Sequence, residues 1–397
     1  MRIGHVITRL IVGGAQENTL LTCEGLAERG HDVTLIAGPE TGPEGSLWAR
    51  AESGRGRVIR VNSLRRNVAP YHDMRCLAEL SRLFGELECE VVHTHSSKAG
   101  ILGRWAARRA GVPAVVHTIH GMSFNRTQAW PVQRLYRALE RRAARWTDAF
   151  VTVADAMAEQ ATAAGLAARE RFTTIYSGMR TEQFGPDAAL RERVRGQWGV
   201  SSEAVVVGTV ARLFANKGYE ELLTMVPRAV REAPELFFVW VGGGPERARY
   251  ARELERAGVL DRVRFVGLVE PEEIPTILNG FDLLVHTSRW EGLPRAAVQA
   301  LLTEVPVVSF NIDGAPEVVV HGKTGRLVPL GDVAKLQTAV VEMARSPVLR
   351  QNYGRNGRAL CLERFDSRRM VGEIEALYLR LAEDAANAKT RNAETRR

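Results

Sequence analysis

Residues 205–231 read VVVGTVARLFANKGYEELLTMVPRAVR. The first six are apolar or small and mostly β-branched, as in a short strand buried on both faces. Tyr219–Arg231 then carries apolar residues at helical spacing, so the stretch reads as strand, loop and helix. Working outward, the same alternation fills the chain. Further strands of the second half are expected at Phe237–Val241, Val263–Val266, Leu283–His286, Val307–Phe310 and Arg326–Val328. In the first half they fall at Ile3–Thr8, Val33–Ala37, Val91–His95, Val115–Thr118, Phe150–Val153 and Thr174–Tyr176. Helical patterns such as Glu17–Arg29, Lys98–Ala110 and Arg247–Ala257 lie between most of them. Such alternation predicts parallel sheets, here in two consecutive α/β units. The join is expected at Thr181–Asp187, where Gly185 and Pro186 interrupt the pattern. This divides the chain into domains 1–183 and 187–366. A closing helix over 367–385, packing back on the first domain, and a flexible tail over 386–397 complete the expectation.

Composition narrows the class. Hydrophobic residues make up 45% of the 397 and charged residues 25%, which excludes disorder or a coiled coil for the whole chain. The four cysteines, Cys23, Cys76, Cys89 and Cys361, form no C-x-x-C pair, and a reducing, cytoplasmic setting is expected. No apolar run approaches the ~18 residues that span a bilayer. Residues 1–180 hold 24 Lys+Arg against 17 Asp+Glu, and the remainder 30 against 29. The basic excess of the first half fits either an anionic partner there or simple solubility. Nothing points to nucleic acid.

In open parallel sheets ligands bind beyond the carboxyl ends of strands. Two sheets facing each other would place a site in the cleft between them. After the first strand comes Gly13-Gly14, which allows close backbone approach at a helix start; a plain tight turn is the alternative. The loop Arg212–Gly218 sets Arg212 and Lys217 five residues apart before a helix N-terminus, an arrangement suited to a diphosphate. Gly242-Gly243-Gly244-Pro245 makes a second tight turn after the next strand. In Arg289-Trp290-Glu291-Gly292-Leu293-Pro294, Glu291 precedes a helix, where it serves either as a cap or as an acceptor for a neutral polar ligand such as a sugar hydroxyl. Gln299 lies eight residues further on. His93, His95, His117 and His120 cluster at two strand ends. H-x-H puts two imidazoles on one strand face, so zinc has to be considered, but no nearby acid or cysteine completes a ligand set. Hydrogen bonding to a ligand hydroxyl and plain packing are the other readings.

Taken together and in order, these pieces resemble the family-four group of retaining glycosyltransferases with the GT-B fold. The resemblance covers nearly the whole chain. It rests on HTHSSKAGILGRWAARRAGVPAVVHTIHG (His93–Gly121), then ARLFANKG, VGGGPE, FVGLV, SRWEGLP and GAPEVVVHGKTGRLVPLGD. It implies an α/β fold of two doubly wound Rossmann-like domains facing across a cleft. It implies transfer of a sugar, without a metal or other cofactor, from a nucleotide-sugar donor to a sugar, glycan or lipid-linked acceptor. UDP is the expected nucleotide, as the family's commonest. Arg212 and Lys217 would hold the donor diphosphate, Glu291 and the amides of Gly292 and Leu293 the sugar. His120 would face the transferred sugar, Gly13-Gly14 would close over the donor, and Gly243, Gly267 and Leu268 would border the nucleotide. The family usually has Glu-x7-Glu; Gln299 stands at the second position, where an amide accepts from the ribose without charge. Competing readings are a nucleotide-sugar epimerase or a phosphorylase of the same architecture, a histidine-based metal hydrolase, and a non-catalytic binder. Finally, Pro131–Trp146 sets an apolar stripe among arginines, with Glu140 its one acid. Peripheral membrane contact is one reading; packing of the stripe on the sheet is the other.

Overall fold

The structure is a computed structural model that describes residues 1–42, 45–124 and 128–394, residues 388–394 by backbone only. Contacts divide the chain into Met1–Met179 with Ser367–Arg397, and Arg180–Asp366. Relative to the expected end at residue 183, the division falls four residues earlier. Thr181 belongs with the second unit because its hydroxyl donates to Asp366 Oδ2 at 2.8 Å.

The first unit holds seven strands: β1 (Arg2–Arg9), β2 (Asp32–Gly38), β3 (Arg57–Arg60), β4 (Val91–His95), β5 (Ala114–Ile119), β6 (Ala149–Thr152) and β7 (Phe172–Thr174). They pair in parallel in the order β3-β2-β1-β4-β5-β6-β7. Apolar alternation missed β3, because its two apolar residues sit between arginines, as suits a short edge strand. The strand read at Thr174–Tyr176 lies two residues earlier, where Phe172 stacks on the buried Phe150 at 4.9 Å between ring centroids.

The helix Ser367–Glu394 packs on the helix Gly14–Glu28. Their approach requires Gly25, where a Cβ would lie 2.6 Å from Val371 Cγ2. Met370, Val371, Ile374, Leu377 and Tyr378 enter the core beside Leu20 and Leu21. Glu375 then receives hydrogen bonds from Arg29 (2.5 Å) and His31 (2.8 Å). The tail expected from residue 386 is instead helical through Glu394, its alanines and long side chains being good helix formers; residues 395–397 lie outside the described residues.

The second unit holds β8 (Val205–Val210), β9 (Leu236–Val241), β10 (Val263–Gly267), β11 (Leu283–His286), β12 (Val307–Phe310) and β13 (Gly325–Val328). They too pair in parallel, in the order β10-β9-β8-β11-β12-β13. The core is built on Trp240, Tyr219 and Tyr250. Asp282 clamps the entry to β11: it accepts from Arg191 (2.6 Å), Arg195 (3.0 Å) and the Val206 amide (2.7 Å). In both units the strand order reverses once, between β1 and β4 and between β8 and β11. Such a reversal opens a crevice at the strands' carboxyl ends. No described helix is long and apolar enough to cross a membrane.

Candidate active site

In the second unit the crevice beside β8 and β11 gathers the charged groups. The chain leaves β8, makes a short turn over Ala215–Lys217, and enters the helix Tyr219–Glu232 through Gly218 at φ +75°. Only glycine fits there: a Cβ would lie 1.9 Å from the Thr287 carbonyl oxygen. The loops after β8 and β11 therefore touch backbone to backbone. Thr287 Oγ1 donates to the Lys217 carbonyl (3.0 Å), and the Arg289 amide to that of Asn216 (3.1 Å).

This contact brings together two residues 74 apart in sequence. Lys217 Nζ donates to Glu291 Oε1 at 2.5 Å. His286 Nε2 lies 3.6 Å from the same oxygen, and the Glu291 amide donates to Asp313 Oδ2 at 2.8 Å. Burial opposes the charge on Glu291, but the Lys217 ammonium and His286 outweigh it and hold the carboxyl well below the usual range. Glu291 is thus ionised at neutral pH and half-buried.

Arg212 is exposed on the same loop, its guanidinium 5.0 Å from the Phe214 ring centroid. The glycine turns also meet. The Gly242 amide donates to the Gly267 carbonyl (2.8 Å) and the Leu213 amide to that of Gly243 (2.9 Å). A Cβ on Gly243 would lie 3.5 Å from that of Leu268, which is exposed. Gly292 is tied to the next loop through the Gly314 amide (3.2 Å). Leu293 has its side chain in the core, so only its backbone is suited to a ligand. Gln299 is half-buried in the second turn of the helix Arg295–Leu302. Sequence reasoning missed His286 and Asp313. The one reads as the end of a strand; the other carries a positive φ (+44°) that no motif announces.

In the first unit, a cavity of about 280 Å³ is lined by Ala15, Ser96, Thr118, His120 and Glu140, among others. Gly13 and Gly14 begin the helix that carries Ala15, the Glu17 amide donating to the Gly13 carbonyl at 2.9 Å. The helix that the glycine pair opens thus reaches the cavity through Ala15, which lines it together with His120. His93 and His95 point to one face of β4, as the H-x-H spacing implies. The third histidine, which sequence reading did not find, is His5 on β1, the register partner of His93. Ligand atoms of the three lie within 4.8 Å of one another. Burial lowers the His5 pKa to about 3 and those of His93 and His95 well below the usual value, neighbouring imidazoles adding to the effect at the latter two. All three are neutral. His117 faces the other way, bonded to Thr94 (2.9 Å) and packed on Gly100, where a Cβ would lie 2.5 Å from the ring. It serves packing.

The basic helix forms over Trp130–Ala144, and its stripe divides. Ala143 and Ala144 are buried, while Trp130 (68%), Leu135 (58%), Val132 and Leu139 remain exposed. Glu140 turns inward and pairs with Arg104 at 2.6 Å, both nearly inaccessible.

Two family models match along the chain: Glycosyltransferase Family 4 over residues 12–183 and Glycosyl transferases group 1 over residues 191–360. The chain belongs to the group 1 glycosyltransferases of the family-four type and has the two-domain, Rossmann-like GT-B fold. It is 30% identical over 96% of its length to the Escherichia coli UDP-Gal:alpha-D-GlcNAc-diphosphoundecaprenol alpha-1,3-galactosyltransferase, covering 97% of that protein. It is 28% identical over 89% of its length to a Mycolicibacterium smegmatis GDP-mannose-dependent alpha-(1-6)-phosphatidylinositol monomannoside mannosyltransferase, covering 92% of it. Among solved structures, Anabaena HepE in complex with UDP and glucose matches 95% of this chain and 99% of its own, with a TM-score of 0.82 at 22% identity. The protein is an enzyme, a glycosyltransferase that uses a nucleotide-sugar donor.

Proposed function

We propose that the enzyme is a retaining, metal-independent glycosyltransferase using a UDP-sugar and a lipid-linked acceptor at a membrane surface. The Lys217–Glu291 pair carries this reading. Bond breaking at the sugar's anomeric carbon leaves new negative charge on the diphosphate, and a preorganised cation stabilises it. Lys217 and Arg212 take that role on the loop after β8. Glu291, with the amides of Gly292 and Leu293, receives sugar hydroxyls. Gly243, Gly267 and Leu268 border the base and Gln299 accepts from the ribose; in the first unit Gly13, Gly14 and His120 are the groups suited to a ligand. A leaving-phosphate oxygen that takes the acceptor's proton explains retention without a protein base. Metal independence is supported by the two cations of the loop after β8, Arg212 and Lys217, which bring to the diphosphate the positive charge a metal ion would otherwise supply. UDP is favoured over GDP by the greater identity to the UDP-galactose-dependent relative.

The test is a product assay with UDP- and GDP-sugars, with EDTA present. A product whose anomeric configuration matches the donor's is expected. An inverted product, an absolute metal requirement, or turnover with GDP-sugars alone would overturn the corresponding part. In the same assay Gln299→Glu should tighten donor binding modestly and leave the product unchanged.

Membrane contact is supported by the exposed Trp130, Val132, Leu135 and Leu139 among arginines of one helix. A basic amphipathic surface lies in a bilayer interface, each cation adding ~1 kcal/mol near anionic lipid. Liposome flotation should recover the protein with anionic vesicles, less at high salt and less for Arg134→Glu/Arg145→Glu. Arg141 is avoided because it is bonded to the Ala164 carbonyl. Equal recovery with neutral and anionic vesicles would remove this part.

A further inference from the structure

The large apolar side chains left in solvent are not scattered. Of twelve among the described residues, seven fall on two segments of the first unit. Four are those of the basic helix Trp130–Ala144. The other three are Val68 (77% exposed), Tyr71 (75%) and Met74 (55%), at the start of the helix Pro70–Glu86. Tyr71, Met74 and Arg75 stand at i, i+3 and i+4, on one face. Cys76, Leu77, Leu80 and Phe84 of the same helix are buried in the core. The helix is thus seated by its later turns, and its first turn offers apolar groups to the outside. A contiguous apolar patch of this kind marks an interaction surface.

Charge says what the surface fits. Residues 65–75 hold Arg65, Arg66 and Arg75 against one acid, Asp73. Asp73 is neutralised by Lys98, whose Nζ lies 2.5 Å from Oδ1 and also donates to the Asn67 carbonyl at 2.8 Å. The Ala69 amide donates to Asp73 Oδ2 (3.3 Å), and the Arg66 amide to Glu40, the other acid at the turn (2.7 Å). All three arginines are exposed.

Packing places this turn beside the basic helix. The helix Ser97–Arg109 packs on both Pro70–Glu86 and Trp130–Ala144. Right-handed crossovers set all three on one face of the sheet, each starting at the strands' carboxyl edge. Lys98–Asp73 makes Tyr71 and Met74 level with the first turn of the middle helix. Arg104–Glu140 fixes the other side. Trp130, ten residues before Glu140, lies about 15 Å toward the same edge, and Ser97, seven before Arg104, about 10 Å. Two basic apolar patches therefore flank one helix at one edge, roughly 20 Å apart by two interhelical spacings.

We infer that residues 65–75 are a second membrane-contact surface, which together with the helix Trp130–Ala144 seats the first unit on an anionic bilayer at two points. The inference rests on the reading that the enzyme works at a membrane. Val68, Tyr71 and Met74 enter the boundary between headgroups and acyl chains, the tyrosine hydroxyl staying in the polar layer, and the arginines meet lipid phosphates. A second contact on the same unit is intramolecular once the first has formed, so the two together bind far more tightly than either. Two points also fix the edge that faces the lipid.

The experiment uses the full chain and phosphatidylcholine vesicles with or without phosphatidylglycerol. Val68→Ser/Tyr71→Ser/Met74→Ser should leave the melting temperature in place, because these side chains are exposed. Its affinity for anionic vesicles should fall about ten-fold, the scale of withdrawing one or two apolar side chains from water. Arg66→Glu/Arg75→Glu should flatten the salt dependence. Adding Arg134→Glu/Arg145→Glu to the serine variant should abolish flotation. Tyr71→Cys can be labelled with a polarity-sensitive fluorophore, since the four native cysteines are buried. Its emission should shift to the blue on anionic vesicles. A wild type that floats, beside a serine variant that floats equally and a label that does not shift, would overturn the inference and leave the membrane reading standing. A wild type that stays unbound to anionic vesicles would remove the reading and the inference together. A dimer in sedimentation that the serine variant dissolves, with no shift of the label on vesicles, would assign the turn to a second copy of the chain instead.

Discussion

Lys217→Ala should lower turnover about 100-fold or more, the scale of deleting one preorganised donor to developing negative charge. Arg212→Ala should lose a comparable amount. The two differ in their side effects. Lys217 also neutralises Glu291 at 2.5 Å, so its removal frees a half-buried carboxylate from its main counter-charge. The Glu291 pKa should then rise toward the ordinary range. Because a depressed folded-state pKa stabilises only above the unfolded value, the wild type holds this contribution at neutral pH and loses it as pH falls through the lowered pKa. Lys217→Ala should lack it at neutral pH. Arg212, exposed and stacked on Phe214, should cost activity with little change in melting temperature. Steady-state kinetics beside thermal melts over pH separate the two. Near-wild-type turnover in both variants would remove the loop after β8 from catalysis.

Arg104→Ala should destabilise the first unit by ~3–5 kcal/mol, the range for stranding one partner of a buried ion pair. Arg104 is fully buried on the helix Ser97–Arg109; it also donates to the Gly100 carbonyl at 2.7 Å. Its partner Glu140 anchors the basic helix Trp130–Ala144, and no other acid lies on that helix. The pair therefore decides which face of the helix turns inward, leaving Leu135 and the arginines outside. Replacing both by apolar residues of similar volume, Arg104→Met with Glu140→Leu, should recover most of the loss. Urea unfolding measures both. A single variant within ~0.5 kcal/mol of wild type would show that the pair contributes nothing to orientation or stability.

The helices and strands were legible wherever periodicity alone decides. β4, β8, β11 and β12 fall where their apolar runs stand. β3 was hidden because an edge strand needs no apolar run, and the helix past Ala385 because polar composition was read as fraying. Site residues at glycine-marked loops were visible, since such loops follow strands. His286, Asp313 and His5 carry no local mark. Their positions are set by strand register and by loops from distant parts of the chain.

From the residues alone came two α/β units, parallel sheets and a set of ordered loop motifs, because hydrophobic period and glycine placement are local consequences of backbone geometry. Tertiary structure alone decided which side chains meet. Lys217 reaches Glu291 across 74 residues because β8 and β11 are neighbours and Gly218 lets the following loops touch. His5 joins His93 because β1 and β4 pair in that register, and Tyr378 reaches both across more than 280 residues because Gly25 admits the closing helix. Register and close approach are properties of packed elements, and no spacing in one segment encodes them.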